Sequence, residues 1–98
     1  MDKRKKPLDK ELLRQQRRDL YDAIDRNELP LRAALKRMRA LSGLTQVEFA
    51  EHRGVSVKVI KEIERGVANP TVNTLNLIGS IFDLEVTFVR KEKLAGKV

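Results

Sequence analysis

The side chains that could form a catalytic pair are few and poorly spaced for that purpose. Ser56 and Lys58 are two residues apart, and residues at this spacing do not face each other on a helix. His52 is the only histidine, and its position predicts the outer face of a short helix. The chain has no Gly-rich phosphate loop, and its carboxylates are scattered among basic residues. We therefore expect no enzyme activity.

The chain also lacks the usual ligands for metals. No cysteine is present, so the sequence predicts no disulfide, no thiolate nucleophile and no zinc finger. One histidine cannot build a histidine-rich metal site. We expect neither a bound metal nor a cofactor.

The charge of the chain points instead to an anionic partner. Its 98 residues include 21 Lys+Arg against 14 Asp+Glu, a net charge of +7, and 41% of them are hydrophobic, enough for one domain with one core. Residues 31–82 carry eight basic and four acidic residues, the largest share of the excess. Nucleic acid, an anionic membrane surface and an acidic protein all fit this balance. No apolar run approaches the roughly 18 residues of a membrane span, and no signal-peptide core follows the basic start, so we expect a cytoplasmic protein.

Two segments, together residues 1–30, precede this central region. Residues 1–7 hold four Lys or Arg and predict a disordered basic arm, which either reaches DNA or is a solvated tail. Residues 8–26 predict an accessory helix with one narrow apolar stripe. The stripe consists of Leu13, Leu20, Tyr21 and Ile24. Because it is narrow, the helix needs a partner surface, in the same chain or in a second copy.

Four further helices are predicted between residues 31 and 82, where apolar residues recur at spacings of three and four. Thr45 and Glu48 form a capping box, and Ser56 is a second N-cap. Gly43 and Gly66 are placed where helices end.

The middle of this region predicts a helix-turn-helix. Two short capped helices meet at Gly54, where a sharp turn requires positive φ. Ala50 is small enough to let the second helix approach the first closely. The side chains spaced to share one core are Phe49, Val55, Ile60 and Ile63. Ser56 caps the second helix and leaves its first exposed residues free to face a groove of DNA.

The stretch LTQVEFAEHRGVSVKVIKEIERGVANPT, residues 44–71, resembles the Cro/phage-repressor (Xre-type) family of helix-turn-helix proteins. Extended over residues 31–82, the resemblance covers about half of the chain. It implies an all-α fold, a five-helix lambda-repressor-like DNA-binding domain, here with an extra N-terminal helix. Arg53 departs from the family, which usually has an apolar residue there. We expect its stem to cover the core and its charged head to snorkel to solvent.

The resemblance also implies how DNA would be read. The helix at 56–65 would enter the major groove, and the preceding helix would cross the backbone. Lys58 or Lys61 would donate to guanine, Glu62 would accept from cytosine, and Val57 would pack on a thymine methyl. The residues that match DNA-contacting positions of the family are Gln46, Ser56, Val57, Lys58, Lys61, Glu62 and Asn69.

These roles have alternatives. Lys58 and Lys61 also fit an ordinary solvated helix face, and Glu62 fits an ion pair with Lys58. Val57 fits a first-turn residue that makes no DNA contact, and Gln46 fits a simple helix former.

Arg39 and Glu64 match a different pair of family positions. In the family, a partly buried ion pair joins the first helix of the domain to the end of the helix that enters the major groove, here the helix at 56–65. The resemblance therefore implies a structural role for both residues.

Residues 84–89 change from helical to alternating periodicity and predict a short β-strand. Leu84, Val86 and Phe88 would cover the helices beneath it. A lone strand exposes unpaired backbone groups, so we expect it to pair with its equivalent in a second copy, giving a homodimer. The same sequence resembles antitoxin-type members of the family, in which such a strand dimerises. Residues 83–98 are accordingly assigned as dimerisation strand and frayed tail, and the alternative is an extended tail throughout.

The predicted function is a sequence-specific DNA-binding transcriptional regulator, chiefly a dimeric repressor that reads a palindromic operator. One alternative is an antitoxin that represses its own operon and binds a toxin, for which the helix at 8–26 is the natural docking site. Another is a module of the same fold that bridges other proteins. Specific binding to a palindromic duplex separates the regulator from the bridging module, and a neighbouring toxin-like reading frame would favour the antitoxin.

Overall fold

The computed structural model describes residues 9–94. The predicted arm over residues 1–7 and the last four residues of the predicted tail lie outside that range. The described helices are α1 (Lys10–Asp25), α2 (Leu31–Ser42), α3 (Gln46–Arg53), α4 (Val57–Arg65) and α5 (Val72–Gly79), followed by 3-10 turns at Ser80–Phe82 and Lys91–Lys93. The all-α prediction is confirmed for this range, and the five helices include the N-terminal accessory helix.

The helix starts are set by local side-chain hydrogen bonds. Asp9 accepts the backbone N–H groups of the first turn of α1, and Thr71 accepts one at the start of α5. The capping box of α3 is present: the Thr45 hydroxyl accepts the Glu48 N–H, and the Glu48 carboxylate accepts the Thr45 N–H. The Ser56 hydroxyl accepts the Val59 N–H at 3.1 Å. These bonds satisfy donors that a helix start otherwise leaves unpaired.

A single core joins all five helices. α2 packs on α1, α3 and α4, and Phe82 from the 3-10 turn completes the core from the C-terminal side. The buried cluster comprises Leu20, Ala34, Leu35, Met38, Phe49, Ala50, Ile60, Ile63, Ile78 and Phe82. Burial of this aliphatic and aromatic surface is the main source of stability for the domain.

The partner surface of α1 lies in the same chain. Leu20 is fully buried in the common core, and the Tyr21 hydroxyl donates to the Phe82 carbonyl oxygen at 2.8 Å. The Arg17 guanidinium carbon lies 4.9 Å from the centroid of the Phe82 ring. The C-terminal half of α1 is therefore fastened to both α2 and the turn after α5.

The chain reverses sharply after α5, and Gly79 makes the reversal possible. The Leu84 N–H donates to the Gly79 carbonyl oxygen at 3.0 Å. A Cβ placed on Gly79 would lie 2.8 Å from the Leu84 carbonyl oxygen. Only a residue without a side chain admits so close an approach of backbone to backbone.

Residues 84–90 form neither helix nor strand in the described part of the chain. The Val86 N–H donates to the Asn76 Oδ1 at 2.8 Å, so the segment is held by a side chain of α5 and not by a neighbouring strand. All elements among residues 9–94 are helical, so this range offers no strand for pairing. The alternating pattern does not place three side chains on the helices: Leu84 packs against the core, whereas Val86 is 42% exposed and Phe88 is 100% exposed.

Candidate nucleic-acid interface

The α3–turn–α4 unit is built by the local signals that the sequence carries. Gly54 ends α3 with φ of +71°, in the left-handed region that other residues rarely adopt. Its neighbour Val55 donates its N–H to the Ala50 carbonyl oxygen at 3.0 Å, which closes the turn. Ala50 and Ile60 are almost fully buried between the two helices. The orientation of α4 relative to α3 is thus fixed by a tight turn and a shared core.

The outward face of α4 presents two lysines. The Lys58 side chain is 81% exposed, and Lys61 is exposed as well. The Lys58 Nζ lies 3.3 Å from the Glu62 Oε2, so these two side chains form an ion pair along the helix. Both lysines project their charge into solvent from one helical face, a geometry suited to phosphate oxygens or to base edges.

Ser56 and Val57 stand at the start of the same helix. Ser56 is exposed, and its hydroxyl is used as the N-cap. Val57 is half-buried and packs against the margin of the core. Ser56 and Val57 therefore both have structural roles, in capping and in packing. Their exposed atoms lie beside Lys58.

The loop between α4 and α5 lies at the opposite end of α4. Asn69 is exposed there, as is Val67. A Cβ placed on Gly66 would lie 3.4 Å from the Arg32 Cδ, so the stem of Arg32 passes over the end of α4. Arg32 and the exposed Arg65 add positive charge beside this loop. Neither residue was predicted as part of the site. The signal for them is the basic excess of residues 31–82.

Arg39 and Glu64 meet in a partly buried ion pair that connects α2 to the end of α4. The Arg39 Nε donates to the Glu64 Oε2 at 2.8 Å, and the Nη2 donates to the Oε1 at 3.0 Å. The Glu64 side chain is only 5% exposed and the Arg39 side chain 27%. Two parallel bonds of this kind fix orientation as well as distance.

Gln46 completes this cluster. Its Nε2 donates to the Glu64 Oε1 at 3.1 Å, which fastens the first residue of α3 to the last turn of α4. The family resemblance implies a DNA contact for Gln46 and did not predict this bond. Since Gln46 and Glu64 are 18 residues apart, only their meeting in three dimensions reveals it.

The electrostatics of the cluster favour an ionised Glu64. Burial acts to raise the pKa of its carboxyl group, but the hydrogen bonds from Arg39 and Gln46 and the charge of Arg39 outweigh it, so the pKa lies below its usual value. The same partnership raises the pKa of Arg39. The pair is therefore charged at neutral pH and holds α2, α3 and α4 in one arrangement.

Arg53 differs from its expected placement. Its charged head does not reach solvent: the residue is 7% exposed, and its guanidinium carbon lies 4.2 Å from the centroid of the Phe49 ring. The Arg53 Nε donates to the Ile78 carbonyl oxygen at 3.3 Å, while the Nη2 is buried without a hydrogen-bond partner. The bond to the Ile78 carbonyl oxygen holds the Arg53 head against the C-terminal end of α5.

Among residues 9–94, no group of three or more His, Cys, Asp or Glu is placed to hold a metal ion. The same range contains no helix long and apolar enough to cross a membrane. The described surface thus offers a positively charged helical face and no cluster of metal ligands.

Comparison with known protein families agrees with this geometry. A family model described as helix-turn-helix, of the Cro/C1 type, matches residues 35–89, which is more than half of the chain. Searches of curated proteins and of solved structures gave no significant match. The matched range contains both helices of the motif and the Arg39–Glu64 pair but excludes α1. The chain belongs to the Cro/C1-type (Xre) helix-turn-helix family, a family of DNA-binding regulators.

Proposed function

We propose that the protein is a dimeric repressor that reads a palindromic operator with α4. The observation that carries this proposal is the exposed pair of lysines on a helix whose orientation is held by the Arg39–Glu64–Gln46 cluster. A helix that is to read base edges must be held rigidly, because a displacement of about 1 Å breaks hydrogen bonds to those edges.

Within this proposal, the exposed residues of α4 contact different groups of the DNA. Lys61 and Lys58 donate to base edges or phosphates, and Val57 offers its exposed methyl groups to thymine. Glu62 accepts from cytosine through its second carboxylate oxygen, because the ion pair with Lys58 engages Oε2. Ser56, Gln46 and Asn69 contact the sugar-phosphate backbone in this proposal.

The test is a titration of the protein against a duplex selected from a random pool and against random duplex of the same length. We expect specific binding to exceed random binding by a factor of at least about 10³, and the logarithm of the affinity to fall steeply with the logarithm of the salt concentration. A ratio near one would contradict the regulator.

Single substitutions assign the lysines. Lys58→Ala or Lys61→Ala should cost about 1–3 kcal/mol on the selected duplex and relax the preference at one base position. Lys91→Ala removes the same charge from the C-terminal 3-10 turn and should leave the ratio of specific to random binding unchanged. Equal losses on both duplexes for Lys58 and Lys61 would reduce them to phosphate contacts.

The dimer part of the proposal rests on the C-terminal segment. A groove of about 330 Å³ lies between α1, α2, α5 and residues 84–94, with a mainly apolar lining that includes Leu31, Leu75 and Val86. The Phe88 side chain, on this segment beside the groove, is fully exposed, and Val89 is 46% exposed. Monomeric proteins rarely leave contiguous apolar surface of this kind uncovered. A second copy that places the same segment opposite would cover Phe88 and supply the missing strand partner.

Thr87→Pro tests this dimer. The proline removes a backbone donor from the proposed strand, so the protein should sediment as a monomer at micromolar concentration, with its helical circular dichroism preserved. Thr87→Ala keeps the donor and should remain dimeric. Position 87 is preferred to Val86 because the Val86 N–H already donates to Asn76 within the chain. A Thr87→Pro protein that still sediments as a dimer with unchanged operator affinity would contradict the strand pairing.

The antitoxin reading is a narrower form of the same proposal. It requires a toxin as a second partner, and a cotranscribed toxin-like reading frame beside the gene would support it. Co-purification of that product with the repressor is the corresponding measurement.

A further inference from the structure

The helix α1 lies outside the family match at residues 35–89, so membership of the family assigns it no function. Its C-terminal half is explained by packing, since Leu20 and Ala23 are buried there. Its N-terminal half holds no buried residue, and packing does not explain the charged side chains that it carries.

The charges of α1 are divided by sign along its length. Residues 10–18 contain four basic residues and one acidic residue, whereas residues 19–25 contain three acidic residues and no basic one. The last turn therefore holds acidic groups and no cation, the opposite of what the helix dipole favours. The stability of the helix does not account for this arrangement.

The four basic residues form one stripe. They are Lys10, Arg14, Arg17 and Arg18, at offsets of zero, four, seven and eight. Side chains at these offsets lie on one side of a helix, and the stripe is about 12 Å long. At about 3.4 Å of duplex axis per phosphate on each strand, that length faces about three phosphates.

All four side chains are exposed. Arg14 and Arg18 contact neighbours within α1, whereas Arg17 packs against the turn after α5. Arg14 lies 2.7 Å from Glu11, Arg18 donates to the Gln15 Oε1 at 2.8 Å, and Arg17 lies over the Phe82 ring. None is neutralised by a buried carboxylate. An exposed ion pair such as Arg14–Glu11 contributes little and is readily exchanged for a phosphate.

The surface beside α1 shows which end of the domain carries the stripe. Gln16 and Asp19 line one depression with Ala40 and Leu41, near the C-terminal end of α2. Asp22 and Arg26 line another with Leu29, which lies before the start of α2. α1 thus runs antiparallel to α2, and its basic half extends toward and past the last turn of α2.

That end of α2 leads directly to the DNA-facing end of the motif. Three residues, 43–45, connect α2 to the N-terminus of α3, and three residues span at most about 11 Å. The first helix of a helix-turn-helix crosses the phosphate backbone, and a helix N-terminus favours anions, so the start of α3 is the end of that helix best suited to phosphate. The basic stripe therefore lies at the end of the domain where a duplex bound to α4 would pass.

We propose that Lys10, Arg14, Arg17 and Arg18 form a second contact with DNA, a phosphate-binding stripe that extends the footprint beyond the helix-turn-helix. This inference rests on the proposed DNA binding of α4 and adds a sequence-independent part to it. The chemistry that it recognises is the sugar-phosphate backbone of a duplex.

The test compares substitutions at the two ends of one helix. Arg14→Gln and Arg18→Gln remove charge from the stripe, and Arg26→Gln removes the same charge from the end of α1, where Arg26 pairs with Glu28. A random duplex of about three helical turns suffices, since phosphate contacts need no operator. Circular dichroism should show all three variants folded, because the substituted side chains are exposed.

We expect each stripe substitution to lower the slope of log affinity against log salt by about 0.9 per protomer, and the double variant to lower it by about twice that. Arg26→Gln should keep the parent slope. Hydroxyl-radical footprinting should show the outer protected sugars in the parent and lose them in the double variant.

The outcomes separate the two proposals. If the parent protein binds no duplex, the DNA-binding function itself fails. If the parent binds but the Arg14→Gln, Arg18→Gln double variant keeps its slope and footprint, α4 still binds DNA and the stripe does not. In that case the basic half of α1 faces something other than DNA, and the inference is overturned.

Discussion

Arg39 on α2 and Glu64 on α4, 25 residues apart in the chain, form two parallel hydrogen bonds, Nε to Oε2 at 2.8 Å and Nη2 to Oε1 at 3.0 Å. With Gln46 on the same carboxylate, this pair joins α2, α3 and α4. The orientation of α4 is therefore set by a polar cluster as well as by the apolar core.

Glu64→Gln should lower the free energy of unfolding at neutral pH by about 3 kcal/mol, because it leaves the charge of Arg39 without its partner in a partly buried site. Urea unfolding followed by circular dichroism measures this difference. Glu62→Gln breaks the exposed pair with Lys58 in the same helix and should cost less than about 0.5 kcal/mol. Equal losses for the two variants would show that the buried pair has no special weight.

The pH dependence of stability should carry the signature of Glu64. Its pKa is lower in the folded protein than in the unfolded chain, where it is about 4.3. The stabilisation is therefore fully present above about pH 4.3 and is lost as the pH falls through the folded pKa. The difference in unfolding free energy between the parent and Glu64→Gln should be constant from neutral pH down to that point and shrink below it. If this difference in unfolding free energy stayed constant into strong acid, the ionised Glu64 carboxylate would not be the source of the stabilisation.

Arg53→Met should stabilise the protein. The substitution keeps an unbranched stem in the core and removes a guanidinium whose pKa is lowered by burial and whose Nη2 has no hydrogen-bond partner. Against this, it gives up the bond to the Ile78 carbonyl oxygen and the contact with the Phe49 ring. Because a buried unpaired polar group costs about 1–3 kcal/mol, we expect a net gain of about 1 kcal/mol and a higher Tm. A lower Tm would show that the two contacts outweigh the burial of the charge.

Gly79→Ala should destabilise the protein through a steric clash and not through backbone strain. Gly79 has a φ of −82°, which alanine adopts freely, but the new Cβ would lie 2.8 Å from the Leu84 carbonyl oxygen. We expect a loss of about 1–3 kcal/mol and faster hydrogen exchange at Leu84. Gly54 is the matched contrast: an added Cβ there meets nothing within 4 Å, but its φ of +71° strains alanine. Gly54→Asn should therefore recover part of the loss seen with Gly54→Ala, whereas no L-residue is expected to restore position 79.

Features that depend on neighbours within a few residues could be predicted from the order of the amino acids. The N-caps at Thr45 and Ser56, the turn at Gly54 and the helical stripes of α2 to α5 are set by local hydrogen bonds and by the period of apolar residues. For this reason the helix-turn-helix, its family and the exposed position of Lys58 and Lys61 were all predictable from it.

Features that depend on which segments meet became visible only in three dimensions. Arg53 was expected to reach solvent, but its head is buried against the Phe49 ring and bonds to the Ile78 carbonyl oxygen. The bond from Gln46 to Glu64 likewise joins residues that are 18 positions apart in the chain. The side chain of Phe88 was expected on the helices but is fully exposed, because the reversal at Gly79 and the bond from Val86 to Asn76 set the course of the segment. Local patterns carry no information about these partners, since burial and hydrogen bonding at a given residue are settled by atoms many residues away in the chain.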